Sequence, residues 1–158
     1  MSYAATTTVS VEKSRAEIER TLDRYGADAF GYTVDGPLVR IAFRMQSKHY
    51  RFSLTMPVKS EKRFTTYKRG YSENMRTAEA ALALWEQACR QKWRALSLVI
   101  KAKLEAVEAN ISTLEDEFLA HMVLPSGETM GEWAKPQLEE AYRLGSMPKQ
   151  LAITGPSS

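Results

Sequence analysis

Three segments of the chain alternate apolar and polar residues at a strict period of two. They are AFGYTV (29–34), LVRIAFRM (38–45) and HYRFSLTM (49–56). Such alternation specifies half-buried strands, because successive side chains of a strand point to opposite faces. Asp35–Gly36 and Gln46–Ser47 fall between the segments. Asp-Gly is a strong two-residue hairpin signal, so the reading is an antiparallel meander. A turn at Asp35–Gly36 pairs Tyr32 with Val39 and Phe30 with Ile41. A turn at Gln46–Ser47 pairs Phe43 with Tyr50 and Ile41 with Phe52. Both keep apolar beside apolar, as one buried face requires.

Parity then sets the opposite face. It carries Arg40, Arg44, His49, Arg51, Ser53 and Thr55, with small Gly31 and Ala42 between them. Arg44 faces His49 and Ala42 faces Arg51. The strands place no carboxylate there, so the face is expected to be basic and open.

Helical patterns flank the meander. In SRAEIERTLDRYG, Ile18, Leu22 and Tyr25 recur at helical spacing, Ser14 and Glu17 have capping-box spacing, and Gly26 suits the residue after the helix. The run TAEAALALWEQACRQKWRALSLVIKAKLEAVEAN (77–110) has neither Gly nor Pro, and an apolar stripe runs from Ala78 to Val107. A helix over 77–109 is a rod of about 50 Å, longer than any eight-residue strand. It must bend, pack on other helices, or overhang and meet another subunit, so a homo-oligomer is expected. STLEDEFLAHMVL opens a further helix with Thr113 as N-cap, and MGEWAKPQLEEAYRLG gives a last one with Trp133, Leu138, Ala141, Tyr142 and Leu144 as its apolar face.

The expected fold is therefore α+β. A three-stranded antiparallel β-meander packs against an N-terminal helix and a long helix, and a C-terminal helical region follows. Residues 1–9 are expected to be loosely ordered, 10–147 to form a single domain, and 148–158 to be a flexible tail. The chain has 158 residues with 44% apolar and 26% charged, the balance of a globular domain. No segment approaches the roughly 18 apolar residues of a membrane span, and the N-terminus is too polar for a signal sequence. A cytoplasmic protein without a membrane partner is expected.

Net charge is only +3, but it is unevenly spread. Between Arg40 and Arg69 nine Lys/Arg stand against the single acid Glu61. Between Lys101 and Gly145 nine acids stand against four bases. The stretch KSEKRFTTYKRGYSENMR (59–76) packs Lys59, Lys62, Arg63, Lys68, Arg69 and Arg76 around Phe64, Tyr67 and Tyr71. It reads as a basic connector between sheet and helix. Arginines on an open sheet neutralise phosphates and release counterions, and aromatics in an adjoining loop stack on unpaired bases. The expectation is a single-stranded-DNA-binding protein. Arg40, Arg44 and Arg51 are its phosphate contacts, Lys62, Arg63, Lys68 and Arg69 a flexible clamp, and Phe64 and Tyr67 its stacking residues. The alternative is a protein-binding modulator of a host complex, such as an anti-defence inhibitor, using the same basic surface.

Catalytic chemistry finds little support. Two histidines far apart and one cysteine cannot complete a zinc set, and no phosphate-cradling glycine motif is present. Cys89 lies inside a helical pattern, where burial is the usual reason for a cysteine. No cofactor and no enzymatic activity are expected.

Three segments also resemble a family of small, largely uncharacterised proteins encoded by bacteriophages and prophages. They are VSVEKSRAEIERTLDRYGADAFGY, WEQACRQKWRALSLVIKAKLEAVE and FLAHMVLPSGETMGEW. The resemblance implies a role in the infected bacterial cytoplasm, near phage replication or recombination. The order of helix, three-stranded meander and long helix is also similar to the core of Rad52-type single-strand annealing proteins, at the level of topology alone.

Overall fold

The period-two segments become three antiparallel strands, β1 (Ala29–Asp35), β2 (Leu38–Met45) and β3 (Lys48–Thr55), in the order β1-β2-β3. The computed structural model describes residues 4–147. The tail expected over 148–158 lies outside the described residues. Around the sheet stand α1 (Val11–Arg24), the short α2 (Lys62–Thr65), a second hairpin of β4 (Thr66–Arg69) and β5 (Ser72–Met75), the long α3 (Ala78–Glu108), α4 (Leu114–Phe118) and α5 (Met130–Leu144). The fold is the expected α+β meander, with α1 and α3 on its apolar face.

The β2–β3 register is as expected, with Phe43 opposite Tyr50 and Ile41 opposite Phe52. The β1–β2 register differs by two residues. Tyr32 faces Ile41 and Phe30 faces Phe43, so the turn is Gly36–Pro37 rather than Asp35–Gly36. The reason is proline. Pro37 has no N–H and cannot take positive φ, so it suits the second turn position, with Gly36 at φ 56° supplying the first. A two-residue slip preserves parity, so the faces survive it.

The core forms where the meander meets α1 and α3. Val39, Ile41, Phe43, Met45, Tyr50 and Phe52 bury against Ile18 and Leu22 of α1 and Trp93, Leu96, Ile100 and Leu104 of α3. Phe118 of α4 closes this core, edge-on to Phe43 at 5.6 Å, Tyr50 at 5.8 Å and Phe52 at 6.1 Å. The C-terminal helices are shorter or less buried than the sequence pattern implies. α4 gives way to a 3-10 turn at Leu119–His121, and of the expected apolar face of α5 only Ala141 is buried. Met122 bridges to Tyr50, so the edge of β3 is partly covered.

Helix ends follow capping chemistry. Ser10, not Ser14, caps α1: its Oγ accepts from the Lys13 N–H, while Ser14 faces the interior. Residues 4–7, ahead of α1, are laid on α3. Ala4 is buried, and the carbonyls of Ala5 and Thr7 accept from Gln87 Nε2, the Ala5 carbonyl also from Gln91. Thr77 caps α3, accepting from the Ala80 N–H. α3 is about 46 Å long and an eight-residue strand about 26 Å. Its buried residues run only from Cys89 to Leu104, so its first three turns extend past the core.

The β2–β3 turn puts Gln46 at φ 51° and Ser47 at φ 63°. Two L-residues in the left-handed region cost roughly 1 kcal/mol each, while Asn-Gly adopts this turn with little penalty. Gln46→Asn/Ser47→Gly is expected to stabilise the fold by about 1 kcal/mol and raise Tm by about 3 °C in thermal melts. An unchanged or lower Tm would contradict this turn geometry.

Candidate nucleic-acid interface

Register brings the predicted arginines together on the open sheet face. Arg40 lies opposite Ser53, Ala42 opposite Arg51, and Arg44 opposite His49. The face is not free of carboxylates, which corrects the expectation from the strands alone. Arg44 Nε donates to Asp28 Oδ1 at 2.8 Å, and Arg51 donates to Glu132 Oε2 at 3.1 Å. Lys48, at the sheet end, pairs with Glu115 at 2.5 Å. Arg40 remains exposed and makes no ion pair among the described residues.

These pairs have different origins. Asp28 immediately precedes β1, and the observed register sets Ala29 opposite Arg44, which brings the Asp28 carboxylate alongside. The hydrogen bond from Arg44 holds the Asp28 carboxyl below its usual range. Glu132 comes from α5. It closes a capping box with Thr129, whose backbone N–H holds the carboxyl below its usual range, and Arg51 adds to that effect. Arg51 is thus committed to its own chain, with a side chain 24% exposed. Exposed ion pairs are weak, so Arg44 can exchange partners, but the face loses much of its positive field.

The basic stretch is not a flexible loop. Its first part is fastened to α3, where Trp85 Nε1 donates to the Pro57 carbonyl at 2.8 Å and Phe64 of α2 is 4% exposed. Phe64 is therefore a core residue and not a stacking platform. Arg63 lies over the Phe64 ring and binds Glu61 at 2.6 Å. Lys62 is exposed beside it.

The second part is the β4–β5 hairpin, turned at Gly70–Tyr71 with Gly70 at φ 62°. Strand parity sorts its side chains. Tyr67 and Arg69 share a face with their partners Asn74 and Ser72. The Arg76 guanidinium lies 5.7 Å from the centre of the Tyr67 ring and extends this face. Lys68 belongs to the other face, opposite Glu73. Tyr71 stands fully exposed at the tip. The hairpin thus gathers Tyr67, Arg69, Tyr71 and Arg76 without a carboxylate between them. It does not gather Phe64, Arg63 or Lys68 on that face. No periodicity in the sequence points to Arg76, because strands of four residues are too short to display one.

The chemistry available is electrostatic and aromatic. Among the described residues no three His, Cys, Asp or Glu side chains cluster as metal ligands would. Cys89 is buried, and burial pushes its thiol above its ordinary range. No helix of the described residues is long and apolar enough to cross a membrane. No protein-family model, no curated protein and no solved structure matches the chain.

Behind Arg51, His121 stacks on Phe52 at 3.8 Å between ring centres. Burial lowers its pKa from the ordinary 6.5, partly offset by a hydrogen bond with the Arg51 backbone. The unfolded chain therefore binds a proton at His121 more readily than the folded one. Stability from this group is present above the ordinary value and is lost as pH falls through the folded value. Urea melts are expected to show lower stability at about pH 5.5 than at about pH 7.5, with the difference reduced in His121→Phe. An equal pH difference in the variant would contradict the assignment.

Proposed function

We propose that this chain is a phage-type nucleic-acid-binding protein that holds a single strand, DNA in preference, along the β4–β5 hairpin. Its role would be accessory to phage DNA replication or recombination in the bacterial cytoplasm. One observation carries the reading: Tyr67, Arg69 and Arg76 share a carboxylate-free face that ends at the exposed ring of Tyr71. Between Lys59 and Arg76 six bases stand against two acids, so the hairpin sits in a positive field. Arginines on the ribbon take phosphates, and the two tyrosine rings offer platforms for unpaired bases. Lys62 adds exposed charge beside α2, and Lys68 lies on the reverse face of the hairpin opposite Glu73. Arg40 and an exchangeable Arg44 form a weaker outlying contact, and Arg51 contributes least.

The phage setting draws on the resemblance of the three segments quoted above. A second reading, a modulator that grips a host protein, is favoured by one feature. Met75 is 73% exposed on the Lys68–Glu73 face of the hairpin, an apolar side chain left uncovered at the surface. There Tyr71 at the tip and Met75 would be anchors, and Lys68 on the Met75 face would meet an acidic residue of the partner.

Binding of labelled single-stranded and duplex DNA, measured against salt, separates the two. The expected result is tighter binding of the single strand with a steep negative salt slope. Arg69→Ala/Arg76→Ala should make that slope shallower by about 0.7 for each phosphate no longer neutralised. Tyr67→Ala/Tyr71→Ala should weaken binding by roughly tenfold or more with the slope retained, since each stack is worth roughly 1–3 kcal/mol. Absence of binding at low salt would defeat the proposal. So would binding abolished by Arg40→Ala/Arg44→Ala/Arg51→Ala but untouched by the hairpin variants.

A further inference from the structure

The first three turns of α3 carry Ala78, Ala80, Ala81, Leu82, Ala83, Leu84 and Trp85, yet no residue before Cys89 is buried. A helix segment this rich in Ala and Leu, interrupted only by Glu79, Glu86 and Gln87, is normally covered on its apolar side. Leu82 follows the same stripe as Cys89, Trp93 and Leu96, but the core ends short of it and leaves it 42% exposed. Below the overhang lies an open hollow of about 450 Å3, with Val11, Val39, Met56, Trp85, Cys89 and Trp93 among its walls. Its edge bears two cations and one acid, Glu12. The Arg15 guanidinium lies 4.3 Å from the Tyr32 ring centre and 5.7 Å from that of Trp93, and the Lys59 ammonium is 4.6 Å from that of Trp85. Neither has a carboxylate partner among the described residues. The overhang itself bears two exposed acids, Glu79 and Glu86, and neither has a cation partner among the described residues.

We infer that a second copy of this chain covers the surface, with the overhang of each copy seated on the hollow of the other. Charge complementarity selects this occupant. The apolar overhang carries two unpaired acids, the apolar hollow carries two unpaired bases against the single acid Glu12, and Trp85 and Cys89 join the two into one continuous face of the same chain. A two-fold axis near Leu82 brings the two α3 ends together antiparallel. It then sets Glu79 and Glu86 of one copy against Arg15 and Lys59 of the other. An interface of this kind closes on itself, because each patch supplies what the other lacks. Leu82 and Trp85 are its apolar anchors, with the ion pairs at the rim giving register more than affinity. The inference stands independently of nucleic-acid binding.

Sedimentation of the full chain from about 5 to about 200 μM tests it, since self-association depends on protomer concentration. Wild type is expected to shift from monomer to dimer over this range. Leu82→Glu, on an exposed position, should stay monomeric throughout with an unchanged far-UV circular dichroism spectrum. Glu79→Lys/Glu86→Lys should raise the dimer dissociation constant at least tenfold. Adding Arg15→Glu/Lys59→Glu to that variant should restore association, a recovery that a merely structural role would not produce. A wild type that remains monomeric at the highest concentration overturns the inference. A dimer indifferent to Leu82→Glu, or a combined charge reversal that fails to recover, overturns it as well.

Discussion

The long helix is longer than the sheet it covers, and the rest of the molecule is arranged around that mismatch. From Cys89 to Leu104, α3 supplies one wall of the core through Trp93, Leu96, Ile100 and Leu104. Beyond Cys89 towards its N-terminus there is no sheet left to cover. The chain between β3 and α3 uses this length as an anchor. Trp85 holds the Pro57 carbonyl, Phe64 is buried, and the β4–β5 hairpin projects from that fastening. An isolated two-stranded hairpin is marginal in water, so its attachment through α2 is what gives it a defined place.

Charge follows the same division. From the sequence both the sheet face and the 59–76 stretch are basic, with the sheet face the stronger claimant and the stretch a connector beside it. Folding separates them by supplying acids to one and not to the other. Asp28 and Glu132 reach Arg44 and Arg51, so that part of the sheet's positive potential is neutralised within the chain. Among the described residues the Tyr67–Arg69–Arg76 face receives no such partner and keeps its positive field. A solvated sheet face and a projecting, aromatic-bearing basic ribbon are different surfaces, although their local composition is similar.

Much of the fold is legible in the sequence because one face of each strand has to be buried. Parity alone places Phe43, Tyr50 and Phe52 inside and Arg40 outside, and it survives the two-residue shift at Gly36–Pro37. That same shift hides the Asp28–Arg44 pair, since a diagonal neighbour depends on register and not on parity. Glu132 meets Arg51 across 81 residues of sequence, a contact only tertiary packing creates. Phe64 misleads for the opposite reason. An aromatic among lysines and arginines reads as exposed, but α2 tucks it against α3 while the cations remain at the surface. The hairpin itself is obscured by the brevity of its strands, with Gly70 as its one clear turn signal.

If the proposed reading holds, ligand contact belongs to the hairpin and not to the sheet. Photocrosslinking of a halogenated-deoxyuridine single strand to the full chain, followed by peptide mapping, reads that contact directly. Adducts are predicted at Tyr67 and Tyr71, within residues 66–76. Adducts confined to the strands between Leu38 and Thr55, or no adducts at low salt, would contradict it.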